Sequence, residues 1–414
     1  MNPLTCRLTE QLHTLSCQGR QRNLLSLQPK DATHLTYQNR EYLNLASNDY
    51  LGLAGNQDLL RKFYSNLEQR EERQNIYQYR LGSGASRLMT GNHDQYTQLE
   101  RGLAQYYHKD RALIFTSGYH INIGLLPALA QKGDLILADK LCHASLLDGM
   151  RLSQAKMIRY PHLDYDRLEQ LLQKHSSDLT AQKKHKQTIF IVTESLFSMD
   201  GDYADLSILV RLKEQYGAVL YVDEAHAVGV RGTNGLGLAE EQGVIEQIDL
   251  LVGTFGKAWG GQGAFVVCEE TIYIYLVNTA RSLIFTTALP PVNIHWLNFI
   301  LPLIPTMNRE RQQLHTLTQQ LCHGLQEQGL TTSENSQNSH ILPIMIGNEE
   351  QAVAVAEQVQ KQGFWVQAIR TPTVPRGTAR LRLSLTAALQ AKQLTALPKQ
   401  IAKIAKAIKQ GTLP

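Results

Sequence analysis

A lysine bracketed by glycines, Lys257, sits in the run DLLVGTFGKAWGG, directly after an apolar stretch that reads as a strand. Glycines at such a turn let a flat ligand come close. A lysine partly withdrawn from water loses its charge more easily and becomes a Schiff-base nucleophile. Alone, Lys257 is also consistent with a surface lysine in a turn. Asp223 and His226 close AVLYVDEAH, another apolar strand. A carboxylate at that strand end needs a cationic partner. A protonated pyridine nitrogen meets the need, and so does an arginine or a helix N-terminus. His143 follows the strand DLILAD, where it either stacks on a ligand or packs against protein. SGYHIN, with Ser117, Gly118 and Tyr119, opens a helix after ALIFT. Free N–H groups at a helix start can hold a phosphate. Glu194 and Ser198 follow TIFIV, and Thr254 ends the strand before Lys257. GSGAS, Gly82 to Ser86, is rich in glycine but follows no strand and lacks the spacing of a phosphate-loop lysine.

Each residue has a bland reading; the combination narrows them. A lysine for a Schiff base, an aspartate for a ring nitrogen, a histidine for a ring face and a helix start for a phosphate describe one ligand. That ligand is pyridoxal 5′-phosphate.

The elements that must position these groups are strands. Short apolar runs (ALIFTSG, DLILAD, AKMIRY, TIFIVTES, AVLYVDEAH, DLLVGTFGK, GAFVVC) alternate with helical patterns such as Tyr165 to Lys174 and Asp205 to Tyr216. Strands apolar throughout, separated by helices, predict a mostly parallel sheet covered on both faces. The polar groups above then share its carboxyl rim, where open α/β sheets bind ligands. The fold class is α/β: a large domain with a mostly parallel seven-stranded sheet, plus a small α+β domain built from the C-terminus and the N-terminal segment. The expected divisions are residues 1–55, 56–290 and 291–414. A helix with Leu4, Leu8, Leu12 and Leu15 on one stripe opens the chain, and a long helical region covers His295 to Gln328. QKKHKQ (Gln182 to Gln187) reads as a solvated connection. Lys399, Lys403, Lys406 and Lys409 read as one wet helix face.

Composition bounds the rest. The 414 residues are 43% apolar and 19% charged, which excludes general disorder. Lys plus Arg (41) against Asp plus Glu (37) gives a net charge of +4, too weak to imply nucleic-acid binding. Five widely spaced cysteines without a CxxC pair argue against a disulfide framework or a structural zinc site, and no metal is expected. They point to a reducing, cytoplasmic setting. The N-terminus lacks the continuous apolar core of a secretory signal. The most apolar region, Leu283 to Pro305, carries two prolines in tandem and several polar residues, so no membrane partner is expected.

From about Tyr42 to Ala387 the chain resembles the α-oxoamine synthases, pyridoxal-phosphate enzymes of the aspartate-aminotransferase fold. The resemblance is carried by LASNDYLGL, GSGASRLMTGN, FTSGY, HASLLDG, VTESLFSMDGD, VDEAHAVGV, TFGKAWG, FTTALPP and PTVPRGTARLRLSLTAA. It implies that Lys257 holds the cofactor and moves the substrate's α-proton. It implies that Asp223 pairs with the ring nitrogen, that His143 stacks on the ring, and that His226 and Ser198 bond the phenolic oxygen side. Thr254 and the backbone at Gly118 and Tyr119 would hold the phosphate. Thr286 and Thr287 would reach the phosphate of a neighbouring subunit in a homodimer with shared active sites. Arg382 and Asn48 are implied for the amino-acid carboxylate. Thr373, Arg370 and an N-terminal arginine are implied for the acyl-thioester path. Counting back from SNDYLGL favours Arg22, with Arg20 close.

Within the family, SRLMTGN and PTVP with TARLRLSLTAA favour the member that condenses L-alanine with a pimeloyl thioester. The alternatives are a relative using glycine or serine with another acyl-CoA, and a catalytically silent partner subunit. Trp259 to Gln262, His120 and Cys142 depart from the family's usual residues without touching a proposed catalytic group.

Overall fold

The computed structural model describes residues 2–71, 79–176, 187–330 and 339–413. The chain divides into two compact units. One comprises residues 56–198 and 203–311, the other residues 1–55, 199–202 and 312–414.

The larger unit is built on seven strands: β1 (Arg111–Phe115), β2 (Leu135–Asp139), β3 (Lys156–Tyr160), β4 (Ile189–Glu194), β5 (Val219–Asp223), β6 (Leu250–Thr254) and β7 (Ala264–Cys268). They lie in the order β1-β7-β6-β5-β4-β2-β3. Only β7 runs antiparallel to its neighbours. Strands β2, β4, β6 and β7 are buried along their whole length, as their unbroken apolar sequences require. Helices Gly118–Leu129 and Ala144–Leu152 pack together over one face of the sheet, with Ile121, Leu125, Leu126, Leu146 and Met150 in its core. Because the other six strands point one way, Glu194, Asp223 and Thr254 reach the same rim.

The smaller unit carries two sheets. One has the order Gln28–Pro29, His34–Tyr37, Arg40–Asn44, Phe364–Trp365; the other places Ala379–Ser384 between Ile341–Gly347 and Gln367–Ile369. The terminal helix Leu397–Lys409 buries Leu397, Ile401, Ile404 and Ile408. Its four lysines face water.

The structure adds detail to three of the sequence expectations. Residues 291–311 cluster with the larger unit, so the smaller one resumes at Gln312 rather than at 291. The reason is local: helix Pro291–Ile300 packs on helix Asp94–Tyr106, where Asn298 donates to the Gln95 carbonyl. The helical region from His295 is two helices, Pro291–Ile300 and Asn308–Glu327, with a short turn between them. Pro302 and Pro305 lack the N–H groups that a continuous helix would use. The opening helix Pro3–Cys17 forms, but its leucine stripe stays exposed. QKKHKQ, apart from Gln187, lies outside the described residues.

Candidate active site

Strand register builds the centre of the site. Glu194 and Asp223 are paired neighbours at the ends of β4 and β5. Asp223 is 6% exposed, and both its oxygens are engaged. Its Oδ1 accepts from the Ala225 N–H at 2.9 Å, and its Oδ2 accepts from Asn122 Nδ2 at 2.9 Å.

One strand further, the turn after β6 carries Lys257. Its Nζ lies 2.7 Å from Nε2 of His226, which is itself buried. As an ammonium the lysine donates to the imidazole, whose Nε2 then carries no proton; as a neutral amine it can accept from Nε2–H instead. Thr254 is buried at the end of β6; its hydroxyl donates to the Gly263 carbonyl and accepts from the Gly256 N–H. Ser198 is also buried.

The helix Gly118–Leu129 starts beside Thr254. A Cβ placed on Gly118 would stand 3.8 Å from the Thr254 hydroxyl oxygen. Ser117 caps this helix by accepting from the His120 N–H. The Tyr119 side chain turns away, donating to Asp148, so its backbone is what the helix start can offer. The start of a twelve-residue helix favours an anion.

His143 caps the helix Ala144–Leu152 and is anchored on two sides. Its backbone N–H donates to Glu194 Oε1 at 2.6 Å, and its Nδ1 lies 2.8 Å from Ser145 Oγ. The ring is open to solvent, yet the surrounding protein disfavours its charged form. Desolvation holds its pKa below the ordinary histidine value; Asp223 pulls it up and Lys257 pushes it down. Burial, with Asp223 alongside, pushes Glu194 up to about 8. Burial raises Glu224 to about 7, against the Ser195 hydroxyl and the Leu238 and Ala239 N–H groups that favour its charge.

These residues fit a phosphorylated pyridine aldehyde. There is an amine for the aldehyde carbon, a carboxylate for the ring nitrogen, an imidazole for a ring face and a helix start for the phosphate. All belong to one rim of the sheet.

The remaining expected residues divide between the units. In the smaller one, Arg382 is 8% exposed. It donates to Ser384 Oγ at 2.6 Å and reaches Asn48 Oδ1 at 3.4 Å, so these two expected partners do meet. Arg22 donates to the Thr371 carbonyl, Arg370 donates to the Gln21 carbonyl, and the Thr373 N–H donates to the Arg370 carbonyl. The N-terminal segment and the 370–373 loop are thereby brought together. Arg20 is instead held by Glu349 at 3.2 Å. In the larger unit, Thr286 and Thr287 follow the Arg281–Ile284 helix and make no hydrogen bond among the described residues. Phe285 beside them is 71% exposed.

The departures from the family pattern are structural. Trp259 is buried against Phe255 and Phe265. Cys142 is buried, with Sγ toward the Val192 carbonyl. His120 Nδ1 meets the hydroxyls of Thr116 and Ser117.

Asn122, Ser145 and Tyr221 were missed in the sequence reading, and they bind the site together. Asn122 lies four residues after Gly118 on the same helix face, a spacing that could have singled it out. Among the described residues there is no cluster of metal-ligating side chains, and no helix is long and apolar enough to cross a membrane.

A parallel-stranded rim that offers a lysine, a carboxylate and a helix start in this arrangement defines a pyridoxal-phosphate enzyme. The chain belongs to the class I and II aminotransferase family, whose model matches residues 40–401. It is an enzyme, and pyridoxal 5′-phosphate is its cofactor. It is 48% identical over 364 residues to the 8-amino-7-oxononanoate synthase of Haemophilus ducreyi, covering 87% of this chain and 91% of that one. A crystal structure of 8-amino-7-oxononanoate synthase from Francisella tularensis shares 28% identity with a TM-score of 0.72, over 90% of this chain and 99% of that one. A serine palmitoyltransferase from S. paucimobilis, solved with a bound PLP–myriocin aldimine, shares 26% identity with a TM-score of 0.87. That match covers 99% of this chain and 100% of the other.

Proposed function

We propose that this chain condenses L-alanine with a pimeloyl thioester, carried by coenzyme A or a carrier protein, to give 8-amino-7-oxononanoate, CO2 and the free thiol. This is a step of biotin synthesis. The observation that carries the reading is Lys257, joined to His226 at 2.7 Å one strand away from Asp223.

Bound pyridoxal phosphate supplies an aldehyde that captures the amino group and a ring that accepts an electron pair from the α-carbon. Lys257 would hold the aldehyde carbon and would serve as the base for the substrate's α-proton. His226 orients the amine and bears part of its charge. Asp223 keeps a proton on the ring nitrogen, which makes the ring a stronger acceptor. His143 covers a ring face and excludes water there. Thr254 and the backbone of Gly118 and Tyr119 hold the phosphate, and Ser198 and His226 bond the phenolic oxygen side.

Arg382, with Asn48, takes the carboxylate of the amino acid. Arg22, Arg370 and Thr373 line the acyl path. A bond forms between the α-carbon and the acyl carbonyl carbon, and the thiolate leaves. The carboxylate bond then breaks, CO2 departs, and Lys257 returns a proton to the α-carbon. A homodimer with shared active sites accounts for Thr286 and Thr287, which would serve the neighbouring chain's phosphate, and for the exposed Phe285.

A related synthase using glycine or serine is the second reading, favoured by the higher TM-score of the serine palmitoyltransferase. The 48% identity to an 8-amino-7-oxononanoate synthase outweighs it. One methyl group changes discrimination by only about 10–200-fold, so the choice is measurable. Purified protein assayed with L-alanine, glycine and L-serine against pimeloyl-, acetyl-, succinyl- and palmitoyl-CoA is expected to prefer alanine and the pimeloyl thioester. Preference for glycine or serine would transfer the assignment to the second reading.

Arg382 gives a narrower test. Lysine at this position keeps a charge but loses the planar fork. Arg382→Lys is expected to raise the alanine KM about 10–100-fold, the worth of a charged hydrogen bond, with a smaller change in kcat. An unchanged alanine KM would remove Arg382 from carboxylate binding.

A further inference from the structure

Two buried side chains of the larger unit, Asn122 and Ser145, form an unbroken path between Asp223 and His143, the groups assigned to the ring nitrogen and a ring face. Asn122 Nδ2 lies 2.9 Å from Asp223 Oδ2 and 2.9 Å from Ser145 Oγ. Ser145 Oγ lies 2.8 Å from His143 Nδ1. Asn122 Oδ1 accepts from the Tyr221 hydroxyl at 2.5 Å. Asn122 and Ser145 are each 1% exposed and Tyr221 is fully buried, so water does not complete the path.

The direction of each bond can be worked out from one end. Asp223, as the carboxylate that a pyridinium partner requires, can only accept. Asn122 must therefore turn its NH2 group toward Asp223, which leaves Oδ1 for Tyr221. The second amide hydrogen then points at Ser145 Oγ, which accepts it and gives its own hydrogen to His143 Nδ1. The Ser145 backbone N–H donates to the same nitrogen at 3.2 Å. An imidazole nitrogen that accepts carries no proton, so the proton of the neutral ring is on Nε2.

We infer that Asn122 and Ser145 are positioning residues that lock His143 as the neutral Nε2–H tautomer, in register with the charge on Asp223. The inference rests on the reading that Asp223 and His143 serve one ring. Its consequence is that His143 meets the cofactor as an uncharged plane and offers a single donor, Nε2–H, to an oxygen of the substrate. The His143 backbone N–H donates to Glu194 Oε1 and so fixes the main chain that carries the ring. A cationic His143 would compete with Asp223's partner for the same negative charge; the lock removes that competition.

The test uses the full cofactor-free chain labelled with 15N in its histidine side chains. Long-range proton–nitrogen correlation reports which ring nitrogen is protonated, and the His143 signal is the one lost in His143→Gln. The expected spectrum at neutral pH shows an unprotonated Nδ1 and a protonated Nε2. A proton on Nδ1, or on both nitrogens, overturns the inference, and this measurement needs no substitution in the path.

Ser145→Ala is expected to shift the Nδ1 resonance toward that of a nitrogen with weaker hydrogen bonding. It should also lower kcat about tenfold, the cost of one buried hydrogen bond, and Ser145→Thr should restore both. An unmoved Nδ1 resonance in Ser145→Ala also overturns the inference. Adding pyridoxal phosphate to the same sample separates the two levels: no change in visible absorbance would sink the assignment of the site, whereas the tautomer decides the lock in either case.

Discussion

Replacing Lys257 with alanine is expected to lower turnover by at least about 10⁴-fold, the upper range for loss of a single general acid–base group. Two functions leave with the amine. It anchors the cofactor, and it carries the α-proton off and back. In the structure this side chain is held at one place, with Nζ 2.7 Å from His226 Nε2, and no other lysine among the described residues shares that contact. The spectroscopic expectation is equally direct: the wild-type chain with pyridoxal phosphate absorbs near the visible edge and shifts on addition of L-alanine, and Lys257→Ala loses the lysine-linked band. Turnover retained in this variant would dismiss the assignment of Lys257. The same experiment excludes a silent partner subunit, because such a chain shows neither the band nor the turnover in its wild-type form.

How much of this could be read from sequence depends on the kind of interaction. The sheet was legible because β2, β4, β6 and β7 are buried throughout and are written as unbroken apolar runs. Lys257, Asp223 and Thr254 were legible because each ends such a run, and a polar group at that edge stands out against its neighbours. Asn122, Ser145 and Tyr221 were not, because they lie within elements whose apolar neighbours set the pattern. What makes them matter is contact between residues 23 to 101 positions apart, along a path no local spacing records. The division at Gln312 was not legible for a related reason. Prolines at 302 and 305 mark where helices stop, but the partner of helix Pro291–Ile300 lies some two hundred residues earlier, at Gln95. Counting along the sequence favours Arg22 over Arg20, but their partners are visible only in three dimensions, where Arg20 meets Glu349 and Arg22 meets the Thr371 carbonyl.

Asp223 gives the second large effect, and its neighbours sharpen the expectation. Asp223→Asn preserves the shape of the side chain while removing the negative charge. The amide brings a new NH2 group to a place where the Ala225 N–H and Asn122 Nδ2 both donate, so one donor must face another. A neutral amide cannot hold a proton on the ring nitrogen, and the ring then accepts electrons from the α-carbon less readily. The expected loss in kcat is on the order of 10²–10³-fold, comparable with removing one preorganised electrostatic group. Because the loss falls on proton abstraction, the isotope effect with α-deuterated alanine should rise. The charge change also reaches Glu194 across the β4–β5 pair: burial and then Asp223 push it up to about 8, so neutralising Asp223 moves its titration downward. Any limb of the kcat profile that follows Glu194 should move to lower pH in the variant. Unchanged rate and unchanged isotope effect would mean that some other group protonates the ring, and Asp223 would be left with the backbone bond to Ala225 as its purpose.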